Sequence, residues 1–570
     1  MKKTVSILLS ITFLFSSFST VLADDETKEI KLTVGSTTAV VDGKEETLDT
    51  APTIINNRTM LPIRFITENL GLDVNWDAET KTITITIKNT SSDNNAIVNT
   101  KLGKIQGTLS NGIYKYLGIP YAEAKEKFVK ATPIKQWDGI LKATEYGKIS
   151  PQFAILGIGE NDAGDGKDNN CQNLNIWTPS INDNQKRPVM VWLHGGGFST
   201  GSANEAGYDG EELSKNGDVV VVGVNHRLNV FGHLDLTAYG DKYKNSDNIG
   251  MDDIIEALKW VQENIDKFGG DPNNVTIFGQ SGGGAKVLAM MTSPEAKGLF
   301  QKAIVQSGAT ENMGVNFLSK DISRELGALT LKKLGISENN VDAIQNKSNV
   351  EIMDAAGAAQ QELANKYKIP VSIGDGYSLE WEPVVDGDFL PTNPVTEKGF
   401  ADAGKNVPLL IGSNLNEWTT IMPTTAHNNM TDKQKELYSK AYPSKSIDEA
   451  QNVDTLIRLP MLKIMSHKAD QNGAPVYSYV FTKQDEKMGS YHGLEIPYIF
   501  RSTDDKTLSN TISTAWVNFA KTGVPSSDNL PKWEPYTRKD GATMLLDDTS
   551  TLVHNHDKEL ISSLTPDYNY

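Results

Sequence analysis

Cysteine is almost absent from this chain of 570 residues: Cys171 stands alone. An internal disulfide framework is therefore excluded, and the fold must rest on its own core. Cys171 itself reads as a small buried apolar side chain rather than a reactive thiol. Positive charge is also scarce, with 55 Lys and Arg against 72 Asp and Glu, a net charge of −17. That balance argues against nucleic acid or an anionic membrane surface as a partner. Histidine numbers only eight, and the first is His194. Long apolar runs are missing after the N-terminus, so stable membrane insertion is not expected.

The chain does have aromatic and aliphatic residues in plenty, 38% hydrophobic with 17 Phe, 18 Tyr and 9 Trp. This length and composition suit one large globular domain with a smaller one. Met1-Lys2-Lys3, an apolar stretch from Val5 to Val21 and small residues before Asp24-Asp25 describe a secretory signal peptide over residues 1–23. Cleavage is expected after about Ala23, giving a secreted protein. No cysteine follows that point to carry a lipid.

Asn89-Thr90-Ser91-Ser92-Asp93-Asn94-Asn95 is polar and of low complexity. It marks a linker over residues 89–96. Before it, residues 28–88 form a small α+β unit. Ile30–Val34 and Thr82–Ile87 alternate like strands, Asp42-Gly43 is a turn, and Leu61–Leu70 has helical spacing. After the linker, residues 97–570 alternate strands with helices. Pro188–Leu193 and Val219–Val224 are continuous apolar runs, as expected of strands covered on both faces, and Ala303–Gln306 and Pro408–Ile411 look like further buried strands. Asp252-Asp253 are expected to open a helix whose apolar face is Ile254, Ile255, Leu258, Val261 and Ile265. The fold class is α/β, with a mostly parallel sheet flanked by helices.

Val275-Thr276-Ile277-Phe278, then Gly279-Gln280-Ser281-Gly282-Gly283, then Ala285–Met291 read as strand, tight turn and helix. In that setting G-x-S-x-G is a nucleophile elbow, which holds the Ser281 hydroxyl clear of the backbone. An activated serine needs oxyanion donors, a base and an acid. His194-Gly195-Gly196-Gly197-Phe198 follows an apolar strand, and its glycines let backbone N–H groups approach a ligand. Gly282, just after the serine, offers another N–H. For the base, the order serine, acid, histidine disfavours His194, His226 and His233. His554 and His556 fall in a charged tail and are expected to be solvated. His427 and His467 lack a nearby glycine. His492, in Gly489-Ser490-Tyr491-His492-Gly493 after the strand Val476–Phe481, is the favourite. The acid must lie between Ser281 and His492. Glu417 follows a buried strand, with Asp386 and Asp388 as rivals in a sequence that reads as a turn.

Several stretches together resemble the type B carboxylesterase and cholinesterase-like family over residues 97–560. They are Ala257–Ile265 with Phe268–Gly279, Leu174–Pro179, Gln306-Ser307-Gly308 and Phe519–Gly523. Residues 28–88, with Arg58–Ile66 and Trp76-Asp77, resemble the domain named after the N-terminus of copper amine oxidases. That unit holds neither histidine nor cysteine, so no copper site is expected; a spacer or a module for cell-envelope contact is its modest reading, with a stabilising appendage as the alternative. The carboxylesterase resemblance implies the α/β-hydrolase fold, a small-molecule ester as substrate and no cofactor or metal. It implies Ser281 as nucleophile, Glu417 as acid, His492 as base, oxyanion donors at Gly196, Gly197 and Gly282, and a supporting Ser307 near the acid. The chain departs from the family pattern at Gln280 and Gly282, where Glu and Ala are usual, and at Trp418, where glycine is usual. Asn169-Asn170 replace Glu-Asp, and Ser150 stands where the disulfide partner of Cys171 is often found. A secreted serine carboxylesterase is expected. The alternatives are a non-catalytic adhesion or binding protein and a lipase or specialised natural-product esterase.

Overall fold

The computed structural model describes residues 30–41, 43–55, 58–69, 72–77, 81–87, 96–153, 167–371, 376–420 and 429–570. The expected signal peptide over 1–23, the expected linker residues 89–95 and His427 lie outside them. The chain divides into two compact units, Met1–Ser91 and Ser92–Tyr570.

In the first unit Ile30–Leu32, Thr38–Val41 and Lys44–Thr47 form an antiparallel sheet. A helix at Ile63–Asn69 precedes the hairpin of Leu72–Asp77 and Thr82–Ile87. The Thr-Ile alternation gives that last strand its two chemically distinct faces.

The second unit is built on an eleven-stranded sheet. Its strands in chain order are β1 (Thr108–Ser110), β2 (Ile113–Pro120), β3 (Asn173–Thr178), β4 (Arg187–Leu193), β5 (Val220–Val224) and β6 (Gly270–Gln280). They continue with β7 (Lys302–Gln306), β8 (Leu409–Asn414), β9 (Val476–Phe481), β10 (Ala542–Leu546) and β11 (Thr551–His554). The spatial order is β1-β2-β3-β5-β4-β6-β7-β8-β9-β10-β11. Every pairing from β5 through β10 is parallel, and the outer pairings are antiparallel.

Four helices flank the sheet where its strand ends gather: α1 (Asn229–His233), α2 (Ile249–Asn264), α3 (Gly282–Thr292) and α4 (Lys506–Thr522). The apolar strand runs feed two cores at once. Val189, Val191 and Leu193 of β4 join Val275 and Ile277 of β6 and the α2 residues Ile254, Leu258 and Val261. Met190 and Trp192 point the other way, toward Phe278, Ile304, and Trp516 and Phe519 of α4. Each such fully buried aliphatic contributes about 1.5–3 kcal/mol relative to exposure, which is why these strands carry no polar alternation.

Asp252 and Asp253 do not open their helix, which starts three residues earlier at Ile249. Both carboxylates are consumed by tertiary partners instead. Asp253 takes two hydrogen bonds from the guanidinium of Arg227, at 2.6 and 2.8 Å, and Asp252 accepts from Lys130 at 2.9 Å. The Arg227–Asp253 pair is fully buried and clamps the chain after β5 onto α2. Cys171 is buried, and burial drives its thiol pKa far up, toward the inert neutral form.

Candidate active site

Four neighbouring strands end side by side, and each end delivers one polar side chain. Ser281 follows β6 directly and holds φ 56°, ψ −129° at the head of α3. Ser307 follows β7 with φ 48°, and Glu417 lies three residues past β8 with φ 41°. His492 sits in the loop after β9. Non-glycine residues at such φ values cost on the order of 1 kcal/mol or more each. The surrounding backbone holds them there. Ser281 N donates to Gln306 O at 2.8 Å, and Ser307 N to Gly412 O at 2.8 Å. Glu417 N donates to Ser490 O at 3.1 Å, and His492 N to Glu417 O at 3.0 Å.

Glu417 is wholly buried. Its Oε1 accepts from the Ser307 hydroxyl at 2.6 Å and from Asn414 N at 2.6 Å. Its Oε2 lies 2.5 Å from His492 Nδ1. An Nδ1–H donated to that carboxylate leaves the lone pair of neutral imidazole on Nε2, a tautomer assigned from the hydrogen-bond network. In this arrangement Nε2 faces the side-chain nitrogen of Gln280 at 3.1 Å rather than the Ser281 hydroxyl. Trp418 covers the imidazole, with ring centroids 4.5 Å apart and planes tilted by 30°. Asp386, the rival acid, receives Asp388 N, Leu390 N and the Asn248 amide, so it fastens its own turn.

The glycine loop after β4 folds onto the start of α3. Gly196 and Gly197 hold φ 86° and 61°. A Cβ added to Gly282 would lie 2.3 Å from Gly197 O and 2.4 Å from its Cα. This explains the departure at position 282: the space an alanine methyl would need is filled by the Gly197 backbone. Gly197 thus packs against Gly282, while a Cβ on Gly195 would lie 3.5 Å from that of Ser281 and one on Gly196 would meet Thr200.

Three polar residues behind the site escaped sequence reasoning: Glu495, Asn414 and Asp454. Glu495 is buried and accepts from Asn414 Nδ2 at 2.7 Å and Gln306 Nε2 at 3.2 Å. Asp454 is buried and accepts from three backbone N–H groups, of Leu456, Ile457 and Arg458. Burial, with the Glu417 carboxylate next, raises both of these carboxyl pKa values toward the neutral form. Glu495 and Asn414 lie three residues from His492 and Glu417, and proximity in sequence was the signal that could have found them.

The remaining histidines divide as expected, with one correction. His194, His226 and His233 are buried, and His467 is in the last turn of the helix Arg458–Asp470. His554 is exposed, but His556 is not the solvated tail residue expected. It packs edge-on against Tyr442, with centroids 5.2 Å apart, and burial lowers it to about 4. Among the described residues one group, Glu534, Asp540 and His554, has donors for a metal, and it is solvent-facing and made of ordinary surface side chains.

The family model described as "Carboxylesterase family" matches residues 94–453 and 446–561. The model described as "Copper amine oxidase N-terminal domain" matches residues 16–85. A para-nitrobenzyl esterase of Bacillus subtilis is 35% identical over 504 residues, covering 82% of this chain and 98% of that protein. Phenmedipham hydrolase of Pseudarthrobacter oxydans is 28% identical, covering 80% and 96%. Among solved structures, an esterase from Clostridium hathewayi that can hydrolyse aliphatic aromatic polyesters superposes with a TM-score of 0.74. It is 33% identical, with 84% of this chain and 99% of that chain covered. The sheet, its flanking helices and these neighbours establish the α/β-hydrolase fold. This chain belongs to the carboxylesterase family and is a carboxylic ester hydrolase.

Proposed function

We propose that the chain is a secreted serine carboxylesterase that works through an acyl-enzyme. The observation that carries this reading is the contact of Glu417 with His492 Nδ1 beside the strained elbow of Ser281. Once the Gln280 amide yields its place at Nε2 to Ser281 Oγ, His492 Nε2 takes the Ser281 proton as Oγ attacks the ester carbonyl. The N–H groups of Gly196, Gly197 and Gly282 stabilise the oxyanion. His492 then protonates the leaving alcohol, and water releases the acid by the same route. Glu417 keeps the proton on Nδ1 and stabilises the imidazolium, while Ser307 and Asn414 hold the carboxylate in place. Burial pushes Glu495 and Asp454 toward neutrality, so neither adds a second charge behind the Glu417–His492 contact.

For the substrate we propose small and aromatic esters, as the names of the para-nitrobenzyl esterase and polyester-cleaving relatives suggest. The half-buried indole of Trp418 beside His492 supports an aromatic preference. A fluorophosphonate probe is expected to label the protein once, at Ser281, with loss of p-nitrophenyl ester hydrolysis. Peptide mapping by mass spectrometry checks the position, and an unlabelled, inactive protein would favour the adhesion or binding reading. Rates on acetyl, butyryl and long-chain esters separate an esterase from a lipase. Among the described residues no helix is long and apolar enough to cross a membrane, and N-terminal sequencing of exported protein tests cleavage after about Ala23.

Gln280 supplies a pH prediction. Its amide nitrogen lies 3.1 Å from Nε2. Gln280→Glu would place a carboxylate there, favour the imidazolium and raise the pH at which activity is half lost. A shift of the acid limb of kcat/KM upward by on the order of one pH unit is expected. An unmoved acid limb would show that this side chain does not address the base.

A further inference from the structure

We infer that Lys286 is a positioning residue for ester hydrolysis, tying the oxyanion loop to the nucleophile helix and placing a buried amine that can carry positive charge beneath it. The inference rests on Ser281 being the nucleophile. Lys286 lies five residues past Ser281 on α3 and is completely buried. Its Nζ donates to His194 O at 2.9 Å, the carbonyl immediately before Gly195-Gly196-Gly197. One end of this contact thus belongs to the helix whose first residue is Gly282, and the other to the strand end that launches Gly196 and Gly197. A hydrogen bond across that junction fixes the two sets of backbone donors relative to each other.

The charge is as telling as the contact. Nζ also lies 5.7 Å from the centre of the Phe198 ring, and among the described residues no carboxylate forms an ion pair with it. A methionine would fill the same space without the cost of burying an ammonium group, which is several kcal/mol for an unpaired ion. The oxyanion formed on the glycine loop is the negative charge that such a cation would serve. It grows during the reaction, so the interaction strengthens in the transition state rather than in the bound substrate.

The groups that face Lys286 come from four segments. They are His194 after β4, Glu205 on the following loop, His226 after β5 and His233 on α1. Burial first, and the Lys286 charge next or among the further causes, lowers all three histidines, so they stay neutral near pH 7. Burial lowers Lys286 itself to about 7, against the opposing field of Glu205. The charged form is therefore the one lost as pH rises through neutrality. This gives kcat an alkaline decline, opposite in sign to the loss of activity when His492 is protonated.

Lys286→Gln keeps an N–H for His194 O without charge, and Lys286→Met removes both. Wild-type kcat on p-nitrophenyl acetate is expected to fall between about pH 7 and pH 9. Both variants are expected to show kcat about 10- to 100-fold below wild type at pH 7, KM within about threefold, and no alkaline decline. Melting temperatures should not drop, because an ammonium that is costly to bury has been removed. Variants with wild-type kcat and an intact alkaline decline would overturn the assignment. Should Lys286→Met fail to fold, Lys286→Gln decides, since wild-type kcat in a variant that keeps the N–H but not the charge refutes a role for the charge. A wild type that neither hydrolyses the ester nor takes the fluorophosphonate would instead overturn the assignment of Ser281.

Discussion

Ser281→Ala should lower kcat/KM on a p-nitrophenyl ester by about 10⁴-fold or more while leaving the fold in place. The large effect follows from the order of events: without Oγ there is no acyl-enzyme, and only the oxyanion donors and binding remain. The backbone at this position gives a second, opposite expectation for stability. Ser281 is held at φ 56°, ψ −129°, a region that disfavours any side chain with a Cβ. Ser281→Gly should therefore be as inactive as the alanine variant yet more stable, by about 1 kcal/mol or somewhat more. Hydrolysis assays and thermal melts on the pair check both halves. An alanine variant with substantial turnover would mean that another group is the nucleophile, and a glycine variant that melts lower would mean that the elbow is not strained.

Gly282→Ala should cost about 10²- to 10³-fold in kcat, with a smaller change in KM. The argument is spatial. The new methyl would fall 2.3 Å from Gly197 O and 2.4 Å from Gly197 Cα, far inside van der Waals contact, and neither atom is the movable end of a side chain. The glycine loop must back away, taking the Gly197 donor with it, while the Gly282 N–H stays with the helix. The two donors then no longer converge on one oxygen. Burst kinetics with p-nitrophenyl acetate would show slow acylation of an otherwise labelled serine. Full activity in this variant would show that the loop can retreat without loss, as in the family members that carry alanine there.

Much of this site could be read from the chain alone because its frame is local. The elbow around Ser281 and the loop Gly195–Gly197 each declare themselves within a strand and a turn, through apolar runs and glycines. The same holds for the double-faced strands β4 to β8, whose continuous hydrophobicity has one structural meaning. What was not legible depends on partners 26 to 212 residues away along the chain. Asp252 and Asp253 look like helix openers until Lys130 and Arg227 claim them. His556 sits among charged neighbours in sequence but beside Tyr442 in space. The approach of Gln280 to His492, and the gathering of Asp454 and Glu495 around Glu417, need the sheet to be assembled first. No periodicity within a segment reports such meetings.

The succession of Ser281, Ser307, Glu417 and His492 along the ends of β6, β7, β8 and β9 makes the sheet itself the ruler of the reaction. Neighbouring strands are spaced about 4.8 Å apart, and the backbone bonds from Ser281 to Gln306 and from Ser307 to Gly412 carry that spacing one step beyond the strands. The separation of Ser281, Ser307, Glu417 and His492 is then inherited from a repeat that hydrogen bonding sets everywhere in the sheet. Loops that face the substrate can change in length and composition without altering it, so a frame of this kind can be fitted to new esters while its chemistry is left alone.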